Sequence, residues 1–141
     1  MVVLTLYVEG GGDSKLMRTA CRQGFRLFLE RAGLAGQMPR IVACGRRQAT
    51  YEDFCTALAS GRPAMLLVDS EAAVTARPPW THLGERTGDA WERPEGAGDD
   101  DCHLMVQCME HWFLTDPATL RAYSDRASGH GRCRAGQTPL N

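Results

Sequence analysis

The stretch VEGGGDSK, Val8 to Lys15, places a carboxylate at the end of an apolar run, follows it with three glycines and closes on Asp-Ser-Lys. Residues 2–8 are short, apolar or β-branched and bounded by glycine, the pattern of a buried strand. Beyond the glycines the spacing predicts a helix from Ser14 to Arg31. Leu16, Met17, Ala20, Cys21, Gly24, Leu27 and Phe28 are expected to face inward, with Gly33 as the stop. A strand, a tight turn and a helix in that order open an α/β unit.

Outward from this stretch the alternation repeats. Pro39 introduces a second strand, Arg40 to Cys44, and Thr50 opens a helix through about Ser60 that Gly61 ends. Ala64 to Val68 is the third strand and the most hydrophobic. The block His103 to Leu114 is expected to give a fourth strand passing into a helix that continues past Pro117 to about Tyr123. The order predicts an α/β fold: a Rossmann-like parallel sheet of about four strands with helices on both faces. Residues 72–100, rich in Pro, Gly, Asp and Glu, read as a long loop with partial order around Trp80 and Trp91.

The chain of 141 residues suffices for one domain, expected over residues 1–123. No apolar run is long enough to cross a bilayer, and the apolar start has no basic flank and runs straight into Glu9, so a cytoplasmic protein without membrane partners is expected. The six cysteines sit singly in mostly apolar segments and read as buried reduced thiols. Cys102, His103, Cys108 and His111 do not match a structural zinc spacing. Residues 1–62 hold nine Lys/Arg against five Asp/Glu, and residues 63–141 seven against twelve, so a nucleic-acid contact must come from a local patch.

From residue 124 the composition changes to SDRASGHGRCRAGQTPLN, which offers almost nothing to bury. The tail is expected to be disordered or to be the product of a single-base deletion after the Tyr123 codon, leaving a C-terminally truncated form of a longer parent.

In a parallel sheet, residues just past the carboxyl ends of the strands share one edge, where ligands bind in open α/β folds. Glu9 ends the first strand, Arg46 and Arg47 follow the second, and Asp69 and Glu71 end the third in VDSE. Clustered carboxylates raise one another's pKa unless a positive charge sits among them, and Mg²⁺ or Mn²⁺ is the natural partner for such oxygens. Glu9, Asp69 and Glu71 are therefore the candidate metal ligands and catalytic groups. Asp13 is either an outer metal contact or a helix cap. Gly10, Gly11 and Gly12 would leave room for a phosphate, with Arg46 or Arg47 stabilising its charge. The GxxxxGK[ST] spacing of a Walker loop is absent. Lys15, Arg18, Arg22 and Arg26 recur at helical spacing, which suits either a phosphate backbone or a solvated helix face.

VEGGGDSK and LLVDSE together resemble the Toprim domain of topoisomerases, bacterial primases and nucleases of the overcoming-lysogenization-defect type. HLMVQCMEHWFLTDP resembles a bacterial family of Toprim-like proteins of unknown function, encoded beside ATPases and linked to phage defence. The resemblance covers about residues 2–123. It implies that Glu9 acts in metal binding or as general acid/base, and that Asp69 and Glu71 hold Mg²⁺, Glu71 standing where the family has a second Asp. The implied activity is metal-dependent phosphodiester hydrolysis in DNA or RNA. The alternatives are a non-catalytic partner module for an ATPase and a small-nucleotide-binding protein.

Overall fold

A computed structural model describes residues 2–75, 78–107, 118, 121 and 122. The chain divides into two units, residues 1–108 and 109–141, and the architecture below is that of the first. Of the helix expected to reach Tyr123, only Ala118, Arg121 and Ala122 are described, in helical conformation; the tail 124–141 lies outside the described residues.

Four strands, β1 (Thr5–Glu9), β2 (Arg40–Gly45), β3 (Ala64–Asp69) and β4 (Cys102–Met105), form one sheet in the order β2-β1-β3-β4. Every pairing is parallel: Tyr7 lies opposite Val42 on one side and Leu66 on the other, and Leu66 lies opposite Cys102. Helices α1 (Lys15–Leu29) and α2 (Arg47–Ala59) make the first two crossovers, and α3 (Pro79–Glu85) precedes β4. β1 connects through α1 to the strand on one flank, whereas β2 connects through α2 to the strand on the other. Right-handed crossovers running in opposite directions put those helices on opposite faces. The α/β fold expected from the alternation is the fold observed.

One face carries the larger core. Tyr7, Leu66, Val68 and Cys102 pack with Phe54 and Ala57 of α2, and with Trp80, Leu83 and Trp91. Phe54 stacks on Trp80 at 5.9 Å between centroids, and the Trp80 indole N–H donates to the Gly98 carbonyl at 2.9 Å. The expected loop is thus ordered around Trp80 and Trp91, as anticipated, and adds a helix, Pro79–Glu85, that its composition did not announce. Two buried tryptophans supply enough apolar area to fix a segment whose Pro and Gly content suggests a coil.

α1 departs further from its expected orientation. Ser14 caps it, its hydroxyl accepting from the Met17 N–H at 3.1 Å. The row that meets the sheet is Cys21, Phe25 and Leu29, of which only Phe25 is buried. Leu16 is 80% exposed and Phe28 52%, with Met17 and Leu27 also open, so most of the residues expected inward face out. Helical periodicity identifies an apolar side; it does not say whether the sheet is wide enough to cover it. The helix lies over β2, an edge strand.

α2 begins three residues earlier than expected. The Thr50 hydroxyl bonds back to the Arg46 carbonyl at 2.8 Å, and Arg47 becomes the first helical residue. That extra turn aims Arg47 at the carboxyl end of the sheet. The described cysteines Cys21, Cys44, Cys55 and Cys102 are free thiols, but Cys102 alone of these is fully buried, the other three being half-buried where burial was expected.

Candidate functional site

The connections leaving β1 and β3 diverge, one towards β2 and the other towards β4. Such a reversal opens a crevice beyond the strand ends, the usual ligand position in open α/β sheets. Glu9 closes β1 and Asp69 closes β3 on either side of it. Glu71 follows two residues later, and one carboxylate oxygen from each of the three lies within 4.8 Å of the others.

Glu71 arrives by a route that strand alternation does not supply. β3 has ended, and Glu71 adopts the left-handed conformation with φ 61°, its N–H donating to the Gln107 carbonyl at 2.7 Å. A non-glycine residue held there costs about 1 kcal/mol or more, and such positions cluster at functional sites. Ser70 points elsewhere: its hydroxyl is buried and bonds the carbonyls of Ala72 and Gln107. The Ser70 carbonyl lies 2.8 Å from His82 Nε2, which ties the loop to α3.

Glu9 Oε2 accepts from the Asp69 backbone N–H at 3.0 Å and from Arg47 Nη1 at 2.9 Å. Burial nevertheless pushes the Glu9 carboxyl above its ordinary 4.5, outweighing those two interactions, and the charges of Asp69 and Glu71 push it the same way. Arg47 also grips Asp89 with Nε at 2.8 Å and Nη2 at 2.7 Å, donates to the Asp69 carbonyl, and stands 4.9 Å over the Trp91 ring. Trp91 in turn stacks on Tyr51 at 4.5 Å. Arg86 completes the network, with Nη1 2.8 Å from Asp89 and Nη2 3.5 Å from Glu71. Burial would raise the Asp89 carboxyl, but Arg47 and Arg86 together hold it below its ordinary 3.8.

Among the described residues, Arg47 bonds the carboxylates of Glu9 and Asp89, and Arg86 those of Glu71 and Asp89. Octahedral Mg²⁺ with oxygens at about 2.1 Å sets neighbouring ligands about 3 Å apart and opposite ones about 4.2 Å apart, so three oxygens lying within 4.8 Å of one another would draw together to share one ion. Exposed Glu71, at the rim, is the side chain free to make that adjustment by leaving its long contact with Arg86.

The other expected site residues take different places. Gly10, Gly11 and Gly12 form the turn beside Glu9, and Gly10 exchanges backbone hydrogen bonds with Gly45 at 3.1 and 2.9 Å. A Cβ at Gly11, where φ is +85°, would stand 2.6 Å from the Arg18 Cα. Arg46 grips both oxygens of Asp13 at 3.0 and 3.1 Å on the exposed rim, holding the Asp13 carboxyl below its usual value. Asp13 is therefore a partner of Arg46 and is not one of the three clustered oxygens. Arg47 lies deeper, its guanidinium occupied in positioning Glu9 and Asp89. Asp89, Arg86 and Trp91 are the participants the sequence did not reveal. They lie in the segment read as a loop, at no spacing that marks them.

Residues 8–141 match the family described as "Domain of unknown function (DUF4276)", and the chain belongs to that family. No curated protein and no solved structure is significantly similar to it.

Proposed function

We propose that this DUF4276 protein hydrolyses phosphodiester bonds of nucleic acid, using a divalent cation held by Glu9, Asp69 and Glu71. The observation that carries the reading is the convergence of those three carboxylates at the strand-order reversal. Mg²⁺ or Mn²⁺ bound there would polarise a phosphoryl oxygen and lower the pKa of an attacking water. Glu9 is held in one orientation by Arg47 and the Asp69 N–H. The glycine turn lets α1 pack close behind Glu9, since a Cβ at Gly10 or Gly11 would press on Cys21 or Arg18 of that helix. Arg46, on the rim, can exchange Asp13 for a phosphate oxygen at little cost, because an exposed ion pair contributes little.

Cleavage of plasmid or single-stranded nucleic acid in Mg²⁺ or Mn²⁺, abolished in Glu9→Gln and Asp69→Asn variants that keep the wild-type circular dichroism, tests the proposal. Equal activity in those variants would refute the site.

A second reading is favoured by a different feature, the exposed apolar side of α1 formed by Leu16, Met17, Leu27 and Phe28. Contiguous exposed apolar surface marks interaction sites. A partner module, for an ATPase or another protein, would use that side of α1 and be indifferent to Glu9→Gln.

A further inference from the structure

The net charge of −1 conceals a strongly cationic groove. Two adjoining cavities of about 360 and 480 Å³ lie between α1 and the edge strand β2, and share Arg22, Arg40 and Ile41 in their walls. Lys15, Arg18, Arg22 and Arg40 line the first, with Asp53 the one acid; Arg26 extends the second. All five cations are exposed, and among the described residues Arg26 is the one of them in an ion pair, with Glu30 at 3.0 Å in the same helix.

The groove begins at the site. Arg18 packs its backbone against Gly11, two residues beyond Glu9, and from there the cations descend the helix. Lys15 to Arg26 spans about 16 Å at 1.5 Å per residue. That length covers about five phosphates at the ~3.4 Å axial spacing of one strand of a duplex.

The lining also says what kind of polyanion fits. Binding of single strands relies on aromatic side chains that stack successive bases, and among the described residues no aromatic lines either cavity. Recognition of RNA duplexes draws on neutral donors and acceptors for the 2′-hydroxyl, whereas the polar lining here is mostly guanidinium and ammonium. Cations without stacking platforms or base-reading groups contact phosphates and position a backbone. We infer that the α1/β2 groove is a docking track for one phosphate backbone of duplex DNA, leading that strand to the carboxylate site at its upper end. This deepens the nucleic-acid reading above and rests on it for the substrate class.

The test is fluorescence anisotropy of labelled duplex DNA in EDTA, so that binding is observed without cleavage, across a series of KCl concentrations. The Arg22→Gln/Arg40→Gln double variant is expected to bind about tenfold more weakly, with a log–log salt slope shallower by about 2. Arg62→Gln, a cation outside the groove, is expected to bind as wild type does. Glu9→Gln, inactive if the hydrolase reading holds, is expected to retain wild-type affinity and slope, so a failure of catalysis and a failure of docking are seen separately. Unchanged affinity and slope in the double variant, absence of wild-type binding, or tighter binding of single-stranded DNA or duplex RNA overturns the inference.

Discussion

Arg47 Nη1 stands 2.9 Å from Glu9 Oε2, while the same guanidinium grips Asp89, 42 residues further along the chain, at 2.8 and 2.7 Å. One cation on the first turn of α2 therefore ties the end of β1 to the segment before β4. The site is built around it: Glu9 is oriented, Asp89 is neutralised, and Trp91 is held by a cation over its ring.

Replacing Arg47 by Met removes the charge while keeping much of the volume. Among the described residues, Asp89, whose side chain is 5% exposed, then retains Arg86 as its cation, and Glu9 keeps a backbone N–H. Breaking a buried pair from one side costs about 3–5 kcal/mol. Urea unfolding is expected to show a loss of that order, and Arg47→Lys should recover little of it, since an ammonium cannot reproduce the two-pronged contact with Asp89. A loss below about 1 kcal/mol would remove Arg47 from its organising role.

Stability should respond to pH with opposite signs at two carboxylates. Asp89 has its folded-state pKa below 3.8, so its contribution is present above that value and is lost as pH falls through the folded pKa. Glu9 has its folded-state pKa above 4.5, so its contribution is favourable below that value and is lost as pH rises through the folded pKa. Denaturation at a series of pH values should therefore show the gap between wild type and Asp89→Asn shrinking in acid. Glu9→Gln should gain on wild type as pH rises above 4.5. Gaps that stay constant with pH contradict both assignments.

Added Mn²⁺ or Mg²⁺ is expected to raise the thermal midpoint, because a ligand that binds only the folded state stabilises it by about 2.7 kcal/mol at a hundredfold excess over Kd. Scanning calorimetry with and without the ion measures this. The shift should vanish in Asp69→Asn and weaken on acidification as Glu9 takes up a proton. A shift of equal size in Asp69→Asn would place the ion elsewhere.

Gly11→Ala combines two penalties: a backbone at φ +85° that side-chain-bearing residues rarely adopt, and a new Cβ 2.6 Å from the Arg18 Cα. A loss of about 1–3 kcal/mol is expected, with α1 displaced from its seat beside Glu9. Activity should fall further than stability alone accounts for, measured as cleavage rate at a temperature where the variant remains folded. Wild-type stability would show that the turn tolerates a side chain.

The amino-acid sequence by itself determined the alternation of strands and helices, and with it the parallel sheet, because periodicity and glycine punctuation are local properties of the chain. It also placed Glu9 and Asp69 at strand ends, and parallel strands bring their ends to one edge. What only the tertiary structure decided is which charges meet there. Arg47 could be assigned to Glu9 and Asp89 only once α2 was known to start at Arg47, and Asp89 and Arg86 sit where no repeat or spacing marks a partner. α1 shows the same division. Its amphipathic pattern is legible in Leu16, Met17, Leu27 and Phe28, but the row that meets the sheet is Cys21, Phe25 and Leu29. Hydrophobic spacing fixes which residues share a helix face, whereas the position of an edge strand and the packing of distant segments fix which face is covered.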